Sequence, residues 1–183
     1  LTSALCKGCG ICAAECPTAA IEMKHFTDAQ IQAQIDTALK NNPENKILGI
    51  LCNWCSYGGA DTAGTARMQY PPNLRIVRVM CTGRVDKKFV DRAFDLGAGM
   101  VLIAGCHPGD CHYISGNQHM EKREKLIRKM LDKKGVSQDR FRLEWVSASE
   151  GSKFQRIAIE MAEKLGKYNH KQVEVEKISE TSH

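Results

Sequence analysis

The sequence predicts an α/β protein built on a four-stranded, parallel, doubly wound sheet. Three segments, at 46–51, 74–80 and 100–105, have the composition and length of strands, the last of them as an unbroken apolar run, and each is followed by a segment predicted to be helical. A fourth run at 141–147 also leads into a helical pattern. Four successive β-α units require right-handed crossovers and a parallel sheet.

Helices are predicted between and after these strands, and the last three of them carry an apolar stripe at helical spacing. They lie at about 60–69, 84–96, 120–134 and 149–165. The run at 100–105 shows no alternation of polar residues, so we expect a central strand with helices covering both faces of the sheet. The expected strand order is 2-1-3-4, as in the flavodoxin-like fold, in a domain spanning 46–166.

Length and composition restrict the class of protein. At 183 residues and 43% hydrophobic content, we expect one main domain and a small appendage. No apolar run approaches the roughly 20 residues of a membrane span and no signal-like segment opens the chain, which predicts a soluble, cytoplasmic protein with no membrane partner. Metal-bound thiolates would cancel or reverse the formal charge of +5, so we expect no nucleic-acid partner.

The first 23 residues contain four cysteines in the spacing C-x2-C-x2-C-x3-C-P, which is typical of bacterial ferredoxins and predicts a 4Fe-4S cluster. Zinc or chance is the alternative. In two-cluster ferredoxins the fourth cysteine serves the other cluster. We therefore expect Cys6, Cys9 and Cys12 to share one 4Fe-4S cluster and Cys16 to bind a second. Residues 1–23 would then be half of a ferredoxin domain.

The start of the chain affects this expectation. Leu1 is not an initiator Met and lies five residues before Cys6, which suggests a piece of a longer polypeptide. An upstream cysteine run would then be missing, and the 4Fe-4S site of residues 1–23 would be incomplete, poorly metallated and mobile. The alternative is that Cys16 completes a local four-cysteine site.

A helix is predicted to link the two parts of the chain. Thr27 and Gln30 are placed as a capping box, and Ile31, Ile35 and Leu39 form an apolar stripe. This linker segment spans 24–45. At the other end of the chain, 167–183 is polar with weak periodicity, which predicts a disordered tail.

Five further cysteines follow the predicted strands, namely Cys52, Cys55, Cys81, Cys106 and Cys111. The carboxyl ends of parallel strands meet at one edge, where open α/β sheets bind ligands. A 2Fe-2S cluster needs four thiolates. Short loops favour Cys52 with Cys55 on one iron and Cys106 with Cys111 on the other, leaving Cys81 as the surplus thiol. In another assignment, Cys52 is the buried residue that does not bind.

Other interpretations of these cysteines remain open. Some of them could be core residues, since free cysteine is often buried. A zinc site could combine cysteines with His107 or His112, although these histidines are better explained as hydrogen-bond donors or loop residues. Thiol-disulfide chemistry at Cys52 and Cys55 is a third possibility. No nucleophile-base pair or nucleotide fingerprint indicates a reaction of the chain's own, so we expect an electron carrier and not an enzyme by itself.

The segment 46–165 resembles the delta subunit of methyl-viologen-reducing hydrogenase. The resemblance lies in Leu51 to Cys55 (LCNWC), Val79 to Arg84 (VMCTGR) and Gly105 to Tyr113 (GCHPGDCHY). The N-terminal piece resembles the last ferredoxin motif and following helix of the A subunit of heterodisulfide reductase, which is a flavoprotein of methanogens and related anaerobes. Together they cover nearly the whole chain.

The resemblance implies a role in electron delivery. The donor would be a hydrogenase, a formate dehydrogenase or a reduced-deazaflavin-dependent protein, and electrons would pass through a 2Fe-2S centre towards the FAD of the heterodisulfide reductase A subunit. The B and C subunits of that enzyme would be further partners. The flavin-binding part does not lie within these 183 residues.

Overall fold

A computed structural model describes residues 5–180, with side chains described up to residue 169. Its sheet consists of β1 (Ile47–Cys52), β2 (Leu74–Val79), β3 (Met100–Gly105) and β4 (Phe141–Trp145). All pairings are parallel and the order is β2-β1-β3-β4. The predicted fold class and strand order are therefore confirmed.

Six α-helices accompany the sheet in the described part of the chain. They are α1 (Ile11–Glu15), α2 (Asp28–Leu39), α3 (Ser56–Thr65), α4 (Lys87–Asp95), α5 (Gly116–Lys133) and α6 (Gly151–Glu180). Short 3₁₀ helices lie at 43–45, 82–84 and 138–140. Both α3 and α5 begin four residues before the starts predicted from the sequence, which were 60 and 120. Both helices begin next to cysteines.

The sheet is covered on both faces, as its apolar central strands require. One core layer packs α2, α4 and α5 against the sheet, with Ile31, Phe89 and Ile127 fully buried. The other layer packs α3 and α6, with Ala63 and Phe154 fully buried. Every residue of β1 and of β3 is buried, so the two central strands anchor the loops that follow them.

Helix α2 forms part of the main core. Its apolar stripe, Ile31, Ile35 and Leu39, is at most 2% exposed and packs in the same layer as α4. The predicted capping box is confirmed, since Thr27 Oγ1 accepts from Gln30 N and Gln30 Oε1 accepts from Thr27 N.

Helix α6 extends further than periodicity indicated. Residues 167–180, predicted to belong to a disordered tail, continue the helix to Glu180. No Gly or Pro follows Gly166, so the backbone meets no helix breaker there. Residues 181–183 lie outside the described part of the chain. Within the described residues, none of the helices has the length and apolar character needed to cross a membrane.

Candidate metal centre

The five cysteines that follow the strands converge at the carboxyl edge of the sheet. Cys52 ends β1, Cys81 lies two residues after β2, and Cys106 directly follows β3. These three and Cys111 are buried, whereas Cys55 is half-buried at the start of α3. They form one cluster with Tyr113 and Met80. The convergence predicted from the parallel topology is therefore present in the structure.

Three of these thiols form a compact group. The Sγ atoms of Cys52, Cys55 and Cys106 all lie within 4.8 Å of one another. Cys52 and Cys106 are closest, with their Sγ atoms 3.7 Å apart. Two thiolates bound at about 2.3 Å to one tetrahedral metal ion lie about 3.8 Å apart. The spacing of Cys52 and Cys106 therefore fits a shared metal ion.

The other two thiols meet at the first residue of α5. Gly116 N donates to Cys111 Sγ at 3.2 Å. A Cβ atom on Gly116 would lie 1.9 Å from Cys81 Sγ and 3.3 Å from Cys111 Sγ. The Cys81 and Cys111 thiols are therefore neighbours, and they leave no room for a side chain between them.

This arrangement differs from the pairs expected from loop length. Sequence spacing paired Cys106 with Cys111, but the structure places Cys106 nearest Cys52 and places Cys111 beside Cys81. The reason is that β1 and β3 are adjacent, with Leu51 opposite Ala104, so the residues that follow them meet. Which four of the five thiols bind a metal remains a prediction.

The environment of these thiols separates their pKa values. A hydrogen bond from the Cys106 thiol, followed by those from Ser56, lowers the pKa of Cys52 to about 5 despite burial. Donating that hydrogen bond, together with burial, raises the pKa of Cys106. Burial raises the pKa of Cys81 to about 12. Buried thiols of this kind gain most from a metal cation, which stabilises their thiolate form.

Two polar residues that sequence reasoning missed hold the loops in place. Ser56 donates to Ala104 O at 2.6 Å, and its backbone N donates to Cys52 Sγ at 3.5 Å. Asn117 Nδ2 donates to Cys106 O at 3.2 Å and to His107 O at 2.7 Å. Both are buried polar residues in the first turn of a helix that begins at the cysteines. Their position just after the cysteines is the only sequence signal that could have indicated them.

The two neighbouring histidines face other groups. His107 Nε2 lies 2.6 Å from Glu150 Oε2, and His112 stacks on Trp54 at 3.9 Å between ring centroids. Trp54 Nε1 donates to the hydroxyl of the buried Tyr113 at 2.9 Å. Neither histidine belongs to the group of three side chains that are close enough together to hold a metal ion among the described residues, so a mixed cysteine-histidine zinc site gains no support.

The ferredoxin-type motif lies beside the five-cysteine site. Cys9 is half-buried and packs against that cluster, whereas Cys6 and Cys12 are exposed. Gly10 has a φ of 80°, and a Cβ there would lie 2.5 Å from Arg84 Cδ. A Cβ on Gly83 would likewise lie 2.5 Å from Ile11 Cγ1. The motif is therefore docked on the loop that follows Cys81.

The fourth cysteine of the motif has a separate environment. Cys16 Sγ lies 3.5 Å from Thr18 Oγ1. Hydrogen bonds from Thr18 lower the pKa of Cys16 to about 7. The four cysteines of this motif do not form a compact group like the one above among the described residues. The assignment of Cys16 to a second cluster remains a prediction.

Two buried arginines connect the motif to the domain. Arg84 is 1% exposed and donates to Phe26 O at 3.0 Å and to Asp28 Oδ1 at 2.6 Å. Arg123 on α5 donates to Gly83 O at 3.0 Å and reaches Glu15 Oε1 at 3.3 Å. Both arginines therefore tie the N-terminal region to the segment around the loop after Cys81.

The fold and the two cysteine sites together define an iron–sulfur electron-transfer protein. Residues 47–168 match the family of the methyl-viologen-reducing hydrogenase delta subunit, and residues 3–22 match the 4Fe-4S binding domain family. The chain belongs to the delta-subunit family, which confirms the resemblance drawn from its motifs. The match of residues 3–22 indicates 4Fe-4S binding.

Individual relatives support both parts of this assignment. The chain is 52% identical over 127 residues to the vhc iron-sulfur D subunit of the F420-non-reducing hydrogenase of Methanococcus voltae, covering 69% of this chain and 88% of that protein. It is 40% identical over 147 residues to the ferredoxin:CoB-CoM heterodisulfide reductase A subunit of Methanosarcina mazei, covering 80% of this chain and 18% of that protein. The second alignment is longer than the first.

Proposed function

We propose that the chain passes single electrons between a 2Fe-2S group at the five-cysteine site and the 4Fe-4S motif at residues 6–16. The packing of Cys9 against the five-cysteine cluster carries this proposal. An iron–sulfur group, when bound, supplies one-electron chemistry. The chain itself would supply the cysteine ligands, bury four of the five thiols at the five-cysteine site and fix the separation between the two sites.

The residues at the five-cysteine site fit a 2Fe-2S group. Four thiolates are required and five thiols are present, four of them buried. Backbone N–H groups of Ser56, Gly83 and Gly116 donate to Cys52, Cys81 and Cys111 respectively. Such hydrogen bonds stabilise anionic sulfur and are among the features that tune the potential of iron–sulfur groups.

The surroundings of the site exclude water from part of it. Tyr113 is only 9% exposed and its hydroxyl is held by Trp54, whose ring is 43% exposed. A buried tyrosine bonded to a half-exposed aromatic ring suits a site that exchanges electrons and has no need to bind a substrate. We infer that an electron donor approaches from the Trp54 side.

We propose that the donor is a hydrogenase, a formate dehydrogenase or a deazaflavin-dependent protein. The acceptor would be the FAD of a heterodisulfide reductase A subunit, assembled with the B and C subunits of that enzyme. The similarity of this chain to both a hydrogenase D subunit and a heterodisulfide reductase A subunit supports a position between the two.

A second candidate function is thiol-disulfide exchange. The short separation of Cys52 Sγ and Cys106 Sγ, 3.7 Å, and the lowered pKa of Cys52 favour it. This pair would reduce a disulfide substrate to its dithiol while forming its own disulfide, and a second dithiol would then reduce that disulfide and be oxidised in turn. The two functions differ in their need for iron.

Anaerobic purification followed by iron, sulfide and zinc analysis separates the candidates. We expect inorganic sulfide and iron, with an electron paramagnetic resonance signal from a 2Fe-2S group after reduction. Stoichiometric zinc without sulfide would contradict the electron-transfer proposal. A metal-free protein that turns over dithiols and disulfides would favour the second candidate.

A further inference from the structure

Arg123 occupies the junction between the two cysteine sites. Its Nη1 donates to Gly83 O at 3.0 Å and to Val85 O at 2.7 Å, in the segment that follows Cys81. Its Nη2 reaches Glu15 Oε1 at 3.3 Å, in the residue before Cys16. A single guanidinium therefore contacts both of the segments that carry the cysteines.

The guanidinium of Arg123 is permanently charged and is buried. Arg123 is 7% exposed, and arginine keeps its proton at any physiological pH. Its carboxylate partner Glu15 is half-exposed and is shared with His119, whose Nδ1 lies 2.6 Å from the same oxygen. Burying a charge is costly unless it is well paired. The pairing here is long and shared, so part of the positive charge acts on other neighbours.

The charged and titratable groups around Arg123 come from several elements. Burial lowers the pKa of Arg123, whereas Glu15 of α1, Asp86 before α4 and the Cys81 thiol raise it. Arg84 is the neighbouring cation. Gly83, whose carbonyl oxygen accepts from Arg123, donates its backbone N–H to Cys81 Sγ at 3.4 Å. The charge of Arg123 therefore lies close to the Cys81 thiol, and any negative charge gained at the five-cysteine site would be stabilised by it.

We propose that Arg123 is a positioning residue that raises the reduction potential of the five-cysteine site and links it electrostatically to the ferredoxin-type motif through Glu15. The inference rests on the proposed iron–sulfur function. One electron from a one-electron reductant adds one negative charge to the site, with no bond made or broken. The buried cation favours that reduced state, and the carboxylate of Glu15 opposes it.

Substituting each partner of this ion pair in turn separates an effect of charge on the reduction potential from an effect on the structure. Arg123→Gln removes the cation, and we expect the reduced-to-oxidised ratio at a fixed potential to fall about tenfold, which is about 59 mV for a one-electron couple. Glu15→Gln removes the anion and should shift the potential in the opposite direction. Arg123→Lys keeps the charge and should restore most of the potential.

The measurement is an anaerobic redox titration of the whole 183-residue chain, followed by electron paramagnetic resonance. Arg92→Gln is the matched control, because Arg92 pairs with Asp36 at the surface, with both side chains more than 40% exposed. This variant should leave the potential unchanged. If Arg123→Gln does not fold, the direction of the shift in Glu15→Gln decides the test, because its carboxylate is half-exposed and the substitution is isosteric.

The inference would be overturned if the reduction potential shifted in the same direction in Arg123→Gln and Glu15→Gln, or shifted in neither. Arg123 would then have a structural role only. A wild-type chain without iron and sulfide would instead contradict the proposed function. The two failures are therefore distinguishable in one set of samples.

Discussion

Gly116 lies so close to Cys81 that a methyl group on Gly116 would stand 1.9 Å from Cys81 Sγ. The first turn of α5 is thereby pressed against the thiols, and its backbone N–H reaches Cys111 Sγ at 3.2 Å. The absence of a side chain at Gly116 is what brings the start of this helix, with its backbone donor, to the metal centre.

We expect Gly116→Ala to disrupt the five-cysteine site. The added Cβ forces Cys81 or α5 to move, and overpacking of this kind typically costs about 1–3 kcal/mol. Iron bound per chain should fall by more than half, as measured after anaerobic purification. Gly166→Ala in α6 is the control, since no atom lies within 4 Å of its Cβ position. Equal iron in the two variants would contradict the prediction.

Substitution of the cysteines one at a time tests the ligand set. Cys52→Ser and Cys106→Ser should each abolish the 2Fe-2S signal, because the 3.7 Å separation of these sulfurs fits one metal ion. Cys81→Ser should retain the signal if Cys81 is the surplus thiol. Retention in Cys55→Ser instead would indicate that Cys81 and Cys111 hold the second iron. The reduced-state spectrum of each variant is the measurement.

Docking of the ferredoxin-type motif should depend on Gly10 more than on Gly8. Both have positive φ, so alanine strains the backbone at either position by about 1 kcal/mol or more. Only at Gly10 would the new Cβ also meet Arg84 and Met23, at 2.5 and 2.6 Å. Gly10→Ala should therefore expose residues 5–23 to limited proteolysis faster than Gly8→Ala. Equal cleavage rates would show that this contact does not hold the motif.

Loss of the Asp28 carboxylate should destabilise the chain. Asp28 pairs with Arg84, whose side chain is 1% exposed, and also with Lys88. Asp28→Asn leaves a buried guanidinium without its counter-charge, and because Asp28 itself is partly exposed we expect a loss of about 2 kcal/mol in the free energy of unfolding. Asp36→Asn breaks the exposed pair with Arg92 and should cost at most about 0.5 kcal/mol. Urea unfolding of both variants would expose any failure of this ranking.

Alkylation of metal-free protein should report the pKa of Cys16. Hydrogen bonds from Thr18 lower that pKa from 9.0 to about 7, and the thiolate is the reactive form. The rate of reaction with iodoacetamide at Cys16 should therefore rise through about pH 7. Thr18→Val removes the hydroxyl and should move the midpoint to higher pH. Thr65→Val serves as the control, because the Thr65 hydroxyl donates to Thr62 O, in a different helix from the ferredoxin-type motif. An unchanged midpoint in Thr18→Val would exclude this cause.

The parallel sheet, its strand order and the edge at which the cysteines meet could all be predicted from the amino-acid sequence. Each of these follows from local information, namely the length of apolar runs, the alternation of strand and helix, and the position of cysteines after strands. The capping box of Thr27 and Gln30 was equally local and is present in the structure. The ends of the helices were predicted less well, since α3 and α5 each begin four residues before the start that the sequence predicts.

Which thiols are neighbours depends on the packing of the strands and helices. Cys106 lies beside Cys52 because β1 and β3 are adjacent and in register, and Cys111 lies beside Cys81 because both thiols pack against Gly116. The roles of Arg84 and Arg123 could not be predicted from the sequence either, since each bonds to residues about 40 to 110 positions away in the chain. Contacts between residues so far apart in the sequence depend on strand register and on the packing of helices across the sheet. Neither can be predicted from the local spacing of residues.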